Sequence, residues 1–473
     1  MRSPLAGAFA LAIAITLPAF GQEKHEETTL EERVRALEKQ LEETKAALEA
    51  LRREMPAASA APAAAPRAAG PVEAPGLTPL DLTPSSSTGQ VTSGTAFNPA
   101  ISVIAEGLYY TDDRSGGAVG LFSGADGFAG TPAGEGRDLS RGFNLGETEI
   151  VFSGAVDPYF DATAIASVSA DGIELEEAYG RTRSLPAGLA LKAGKFYSGI
   201  GYLNGQHPHQ WDFVDTSLPY EVLLGGALND VGVQLTWLPK TPVYVQLGLE
   251  ALQGENPGVA NVFGPDVDPA FSDKAGPRLF TGFLKVAPDV GYSDALQGGL
   301  FAGRSSLHQE ESADGPLEGT AWFAGTDWVY KHDSPEPGGK GDVVLQAEYL
   351  FREKKLDRVA SGDPALVGQP ARSKQDGFYL QGTWGFAPRF TASARYDAVG
   401  AFVNEVDLGA LGLSDYDASR RLSAALTFNP TEFSRVRAQF SRGDAAIAGS
   451  RETFNQFFLQ LQLSLGVHGA HKF

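Results

Sequence analysis

There is no cysteine among the 473 residues, which excludes disulfides, thiolate metal sites and cysteine nucleophiles. Basic residues are in deficit, with 38 Lys and Arg against 58 Asp and Glu and a formal charge of −20. That balance argues against nucleic acid and against anionic membrane surfaces as partners. Beyond the N-terminus no apolar run reaches the roughly 18 residues a membrane-spanning helix needs, so any crossing of a bilayer has to be made by strands. Catalytic signatures are missing as well: there is no GxSxG, no HExxH and no phosphate-binding Gly-rich loop, and carboxylate pairs are too common in so acidic a chain to mark a hydrolase. The expectation is a protein that is not an enzyme.

Three segments precede the body. Arg2, the apolar run Leu5 to Leu17 and Ala19-Phe20-Gly21 before Gln22 read as a secretory signal peptide over 1–21. In 22–55, Leu30, Val34, Leu37, Leu41, Thr44, Leu48, Leu51 and Met55 alternate in steps of four and three, the seam of a left-handed coiled coil. Thr29 with Glu32 forms a capping-box pattern and Pro56 ends the helix. So short a repeat cannot bury enough surface alone, so self-association follows, and a homo-trimer is the natural choice if the body is a porin. Residues 56–97, rich in Ala, Pro, Ser, Thr and Gly, read as an extended tether.

The body, 98–473, is organised by period-two alternation. Phe457, Leu459, Leu461, Leu463, Leu465 and Val467 alternate with Phe458, Gln460, Gln462, Ser464, Gly466 and His468, placing apolar residues on one face of a strand and mostly small or polar ones on the other. Val231, Val233, Leu235 and Trp237 alternate in the same way with Gly232, Gln234 and Thr236. About sixteen such strands can be marked out, joined by short turns such as Asp157-Pro158, Ala387-Pro388 and Asn429-Pro430 and by longer loops such as 112–141, 199–228 and 253–276. Trp237, Trp384, Phe386, Phe390 and Phe428 stand beside short turns, where an interfacial aromatic girdle would lie. The fold class is therefore all-β: a transmembrane antiparallel up-and-down β-barrel of about sixteen strands behind an N-terminal α-helical coiled coil. Lipid would meet the apolar face, and the small, charged face would line a wet lumen.

The candidate functional stretch is loop 199–228. Between Lys195 and Lys240 it carries no Lys or Arg, but it and the strand after it hold Asp212, Asp215, Glu221 and Asp230, with His207, His209 and Trp211. Folded inward, it would form the channel constriction, and an acidic ring there favours cations. Glu106, Glu147, Glu149, Glu174, Glu176 and Glu177 on the early strands, against Arg181, Arg183, Lys192 and Lys195, suggest opposed charge rows across the lumen. His207 and His209 are of the type that ligates Zn²⁺, but one residue apart they share an ion only if the turn at Pro208 brings them together. Otherwise the same groups pin the loop to the wall, with Trp211 and Phe213 as apolar anchors.

Signal peptide, coiled coil, linker and barrel, together with LEEAYGRTRSLPAGLALKAGKFYSGIGYLN (175–204), resemble the phosphate-selective porins. HPHQWDFVD (207–215), NPTEFSRVRAQFS (429–441) and LGVHGAHKF (465–473) more closely resemble outer-membrane proteins labelled zinc-regulated, TonB-dependent receptors, and the final Phe473 is similar to the terminal aromatic of bacterial outer-membrane strands. The resemblance implies residence in the bacterial outer membrane, with the coiled coil in the periplasm and lipid and small solutes or ions as partners. Passive diffusion through a porin is the leading expectation. A receptor or transporter for metal ions such as zinc and an envelope tether anchored by the barrel are the alternatives.

Overall fold

The computed structural model describes residue 39 and residues 99–128, 139–169 and 172–466. The signal peptide, the tether, the end of the chain after Gly466 and the coiled-coil seam of Leu30, Val34, Leu37, Leu41, Leu48 and Leu51 lie outside the described residues. Of the two compact units, Met1–Pro75 and Gly76–Phe473, the barrel belongs to the second.

Sixteen antiparallel strands form it. They are β1 (Ala100–Asp112), β2 (Gly142–Leu145 continuing as Thr148–Ala155), β3 (Phe160–Val168), β4 (Ile173–Thr182), β5 (Leu189–Tyr197), β6 (Asn229–Trp237), β7 (Tyr244–Leu252) and β8 (Leu279–Ala287). There follow β9 (Asp294–Ser305 continuing as His308–Glu310), β10 (Leu317–His332), β11 (Val343–Arg358), β12 (Pro370–Ala387), β13 (Phe390–Asp407), β14 (Leu413–Asp415 and Ser419–Thr431), β15 (Ser434–Ile447) and β16 (Ser450–Gly466). Each pairs with the next in sequence, and β16 pairs back onto β1 from Ser102 opposite Gly466 to Asp112 opposite Gln456. The sheet is closed and leaves no free edge.

Face assignment follows the sequence period. On β16, Leu461 is 46% exposed while Gln462 is 3% exposed, so the apolar side faces out and the polar side in. Val231, Val233, Leu235 and Trp237 lie outward likewise, with Gln234 buried. The short-turn rim carries the expected aromatics: Phe390 stacks on Phe428 with centroids 4.4 Å apart, and Phe386 bridges Trp384 and Phe390.

Three features depart from the sequence reading. Strands β3 to β8 are nine or ten residues long, whereas β10 to β13 have sixteen to eighteen. The extra length, such as Lys354–Arg358 and Pro370–Gln375, is largely polar and was invisible to an apolar alternation, because it extends beyond the apolar belt. The long-loop rim is also uneven: only two residues, Ala448 and Gly449, join β15 to β16. The third is a correction to the small, charged inner face. In its long-loop half the lumen holds an apolar core, in which Phe196, Phe283, Phe301, Phe323, Leu350 and Phe454 of the wall pack on Phe122 and Phe128 of loop 113–141, Leu218 and Leu223 of loop 198–228, and Val259 of loop 253–278.

If the outer belt meets lipid, Leu461→Arg, at the centre of the apolar run Phe457–Leu465, destabilises the barrel in vesicles by about 2–4 kcal/mol. Denaturant titration of vesicle-inserted protein reads this; an unchanged midpoint contradicts the assignment.

Candidate functional site

Loop 198–228 leaves β5, crosses the lumen and returns to β6. Its neck is closed by Asn204, whose amide donates to the carbonyls of Ser198 (2.9 Å) and Leu228 (3.0 Å) while its Oδ1 accepts from Leu228 N–H (2.7 Å). Gly201 has φ +58°, and a Cβ there would collide with the Tyr220 hydroxyl and the Glu348 carboxylate, so the loop reaches the β11 wall only through glycine. Two tight turns, Leu203–Gly205 and Pro208–Gln210, lead to a single helical turn, α1 (Leu218–Leu223), with Pro219 in its first turn.

The first anchorage is on β2 and β4. His207 approaches Glu176 through Nδ1 (2.9 Å) and Glu177 through Nε2 (3.1 Å), and His209 Nδ1 approaches Glu149 (2.9 Å). Consecutive residues of a strand normally face opposite ways. Here the β3–β4 register passes from Ile165–Glu177 to Ala166–Leu175, so a bulge at Glu176 turns both carboxylates inward. The turn at Pro208 sets the two imidazoles nearly parallel, centroids 5.9 Å apart. Burial alone would lower the His207 pKa, but the Glu149 charge and the hydrogen bonds to Glu149, Glu176 and Glu177 outweigh it and raise it well above the ordinary value.

The second anchorage is on β13, β14 and β15. Asp215 accepts from Arg395 Nη2 (2.8 Å) and Gln439 Nε2 (2.8 Å) and pairs with Arg421 Nη1 (2.9 Å). Glu221 lies 3.3 Å from Arg421, and Asp397 bridges the two guanidinium groups from the wall. The Phe213 ring lies 4.5 Å from the Arg395 guanidinium, and Arg437 donates to the Trp211 carbonyl at 2.6 Å. Burial raises the Asp215 carboxyl, but Arg421 and then Arg395 hold it down to about 2. Between the anchorages, Glu348 accepts from Leu203 N–H, Tyr220 and Tyr379, and Asp212 accepts from Gln381 at 2.7 Å.

The other sequence-derived residues scatter. Asp230 sits at the base of β6 and accepts from Gly254 and Glu255 N–H, fastening the neighbouring loop. Glu106 is buried and Glu147 half-buried. Lys192 lies over the Tyr179 and Phe196 rings at 4.9 and 5.0 Å, and Arg181 is half-buried. Glu174 pairs with Lys195 at 3.3 Å and Arg183 with Asp161 at 3.4 Å, both partly exposed and neither part of a row facing the loop. The basic wall opposite Glu149, Glu176 and Glu177 is instead Arg395, Arg421, Arg435 and Arg437, which the sequence reading missed. Their signal was present: Arg395, Asp397, Arg421, Arg437 and Gln439 occupy the inner-face phase of apolar-alternating strands. Among the described residues, Glu149, Glu176 and His207 bring potential ligand atoms within 4.8 Å of one another.

No family model matches the chain. An uncharacterized protein of Aquifex aeolicus (strain VF5) is 37% identical over 343 residues, 70% of each chain. Among solved structures, the outer membrane channel DcaP of Acinetobacter baumannii matches 78% of this chain and 96% of its own at TM-score 0.48 and 14% identity. A trimer form of OmpT, an outer membrane protein of Vibrio cholerae, matches 78% and 100% at 0.46 and 12%. An anion-selective porin from Comamonas acidovorans matches 78% and 99% at 0.44 and 9%. None of these three likenesses carries cargo or assembly over to this chain.

Arg421→Met leaves Asp215, Asp397 and Glu221 with Arg395 alone and is expected to cost about 3–5 kcal/mol, as when one partner of a buried pair is removed. Chemical denaturation measures the loss, and faster amide exchange over 213–221 locates it. Because the folded Asp215 pKa lies below the unfolded value, its contribution is complete above the ordinary carboxylate range and is lost as pH falls towards 2. Protection from exchange over 213–217, taken relative to the intrinsic rate at each pH, should therefore hold from neutral pH to about 4 and fall below it; loss of protection near pH 6 would contradict the assignment.

Proposed function

The chain belongs to the family of that Aquifex aeolicus protein, and from the architecture of this member we propose that it is a bacterial outer-membrane channel for small solutes or ions, with loop 198–228 setting the path. The observation that carries this reading is the loop's course, fastened by His207 and His209 to the acidic wall and by Asp215 and Glu221 to the basic wall. The apolar outer belt and the closed sheet support residence in the membrane. A removable plug domain would be needed for a TonB-type receptor cycle; among the described residues the groups that fill this lumen are loops continuous with the wall, and that label finds no support.

Selectivity is weak in this reading. Asp215 and Glu221 are matched by Arg395 and Arg421, so the loop does not present the acidic ring that its composition suggests. Assembly as a homo-trimer rests on the coiled-coil pattern of residues 22–55 and on the low wall of β2 to β4, whose outer side carries Phe143, Leu145, Ile173 and Leu175. The coiled coil would then stand in the periplasm.

Planar-bilayer recording of the full-length protein in a tenfold KCl gradient tests the proposal. Small steady steps with a reversal potential near zero are expected, with several-fold larger steps when residues 207–222 are replaced by a short Gly-Ser linker. Asp215→Asn, which leaves the two arginines undercompensated, should move the reversal potential towards anions. Silence from both correctly inserted forms, or equal conductance, would sink the reading.

A further inference from the structure

We propose that Glu149, Glu176 and His207 form a binding site for a single divalent transition-metal cation that cross-links loop 198–228 to the barrel wall, with His209 beside it on Glu149. It does not depend on whether the lumen conducts.

Three independent observations converge on it. The first is spacing. Glu149 Oε2 lies 2.9 Å from His209 Nδ1 and 3.5 Å from His207 Nδ1, and Glu176 Oε2 lies 2.9 Å from His207 Nδ1. A tetrahedral ion with bonds of roughly 2.0–2.2 Å to imidazole nitrogen and carboxylate oxygen sets its donors about 3.4 Å apart, so Glu149, Glu176 and His207, whose ligand atoms lie within 4.8 Å of one another, can reach one ion by small side-chain shifts. The ion would replace the shared protons with little movement of the side chains.

The second is the outer partner. His207 Nε2–H faces Glu177 Oε2 at 3.1 Å, which fixes the ring so that Nδ1 becomes the ligand atom once an ion displaces the proton it shares with Glu176. A carboxylate behind a histidine is the usual support of a metal-bound imidazole.

The third is charge. Glu149 is 5% exposed, Glu176 and Glu177 are 8% exposed, and Glu149 Oε1 is buried with no hydrogen-bond partner among the described residues. Three buried carboxylates face Lys192 and two imidazoles, and with both rings neutral two negative charges are left for a divalent cation to balance. Burying an unmatched charge is costly. A divalent cation removes the deficit, and Glu149 can turn Oε1 as well as Oε2 to it. The nitrogen and oxygen donor set suits Zn²⁺, Co²⁺ or Ni²⁺ better than Ca²⁺ or Mg²⁺, which take all-oxygen shells.

The test is equilibrium dialysis of full-length, EDTA-stripped protein against Zn²⁺, together with the visible spectrum after Co²⁺ loading. One Zn²⁺ per chain is expected, with intense d–d absorption from four-coordinate Co²⁺. Glu149→Gln abolishes both signals; Glu177→Gln, which leaves every ligand in place, weakens Zn²⁺ binding roughly 10–100-fold. His332→Asn, at a half-buried His–Asp pair at the end of β10, leaves both unchanged. Zn²⁺ should also slow amide exchange over 207–211 in the parent protein but not in Glu149→Gln. Heat-modifiable gel mobility establishes that each variant has folded, and if Glu149→Gln does not fold, Glu177→Gln carries the comparison. Binding that is absent from the parent protein, or equal in the parent and the folded Glu149→Gln or Glu177→Gln variants, or Co²⁺ bound without intense bands, overturns the proposal.

Discussion

The pairing of β1 with β16 is the contact on which everything else depends. A sheet of sixteen strands with two free edges would expose two ladders of unpaired N–H and C=O groups, which no hydrocarbon environment can satisfy. Joining Ser102–Asp112 to Gln456–Gly466 turns those edges into one more ladder. Closure then forces the two faces of every strand into different surroundings. The outer face leaves Leu459, Leu461 and Leu463 exposed, as the proposed lipid setting requires; the inner face meets the interior, so Gln460 and Gln462 are buried and Gln460 accepts from Arg437.

Closure also produces the space that the loops fill. A sixteen-strand wall is too wide for its own side chains to close the lumen, and here the chain brings backbone into it. Loop backbone inside a barrel carries polar groups that must be matched. The wall supplies the partners: Glu348 for Leu203 N–H, Gln439 for Val214 N–H, Asp397 for Leu218 N–H, and Arg435 and Arg437 for the carbonyls of His209 and Trp211. What looks like a lumen lined by charge is in large part a set of sockets for the loop. At the histidine end Glu149, Glu176 and Glu177 outnumber the two imidazoles, and Lys192 is the cation that interacts with Glu177.

Much of the barrel was legible because its signal is local. Period-two alternation in 229–237 or 454–466 requires only that neighbouring residues point opposite ways, so sixteen strands and their inner and outer faces could be marked from the residues themselves. The polar extensions of β11 and β12 carried no such pattern, since both of their faces meet water or loops. The candidate site was only half legible. His207, His209, Asp212, Asp215 and Glu221 marked the loop as chemically loaded, but the acidic residues read as a cation filter because nothing near them in sequence is basic. Arg395 and Arg421, which compensate Asp215, lie about two hundred residues downstream.

By itself, then, the sequence determined the strands, their polarity and the stretch most able to cross the lumen, because alternation and turn chemistry are properties of adjacent residues. Tertiary structure alone decided that the loop's acids are neutralised, that Glu176 and Glu177 face the same way through a bulge, and that Phe122, Leu223 and Phe323 share one core. Those outcomes depend on which distant strands closure sets opposite one another, and on a register shift between β3 and β4 that no periodicity in either strand records.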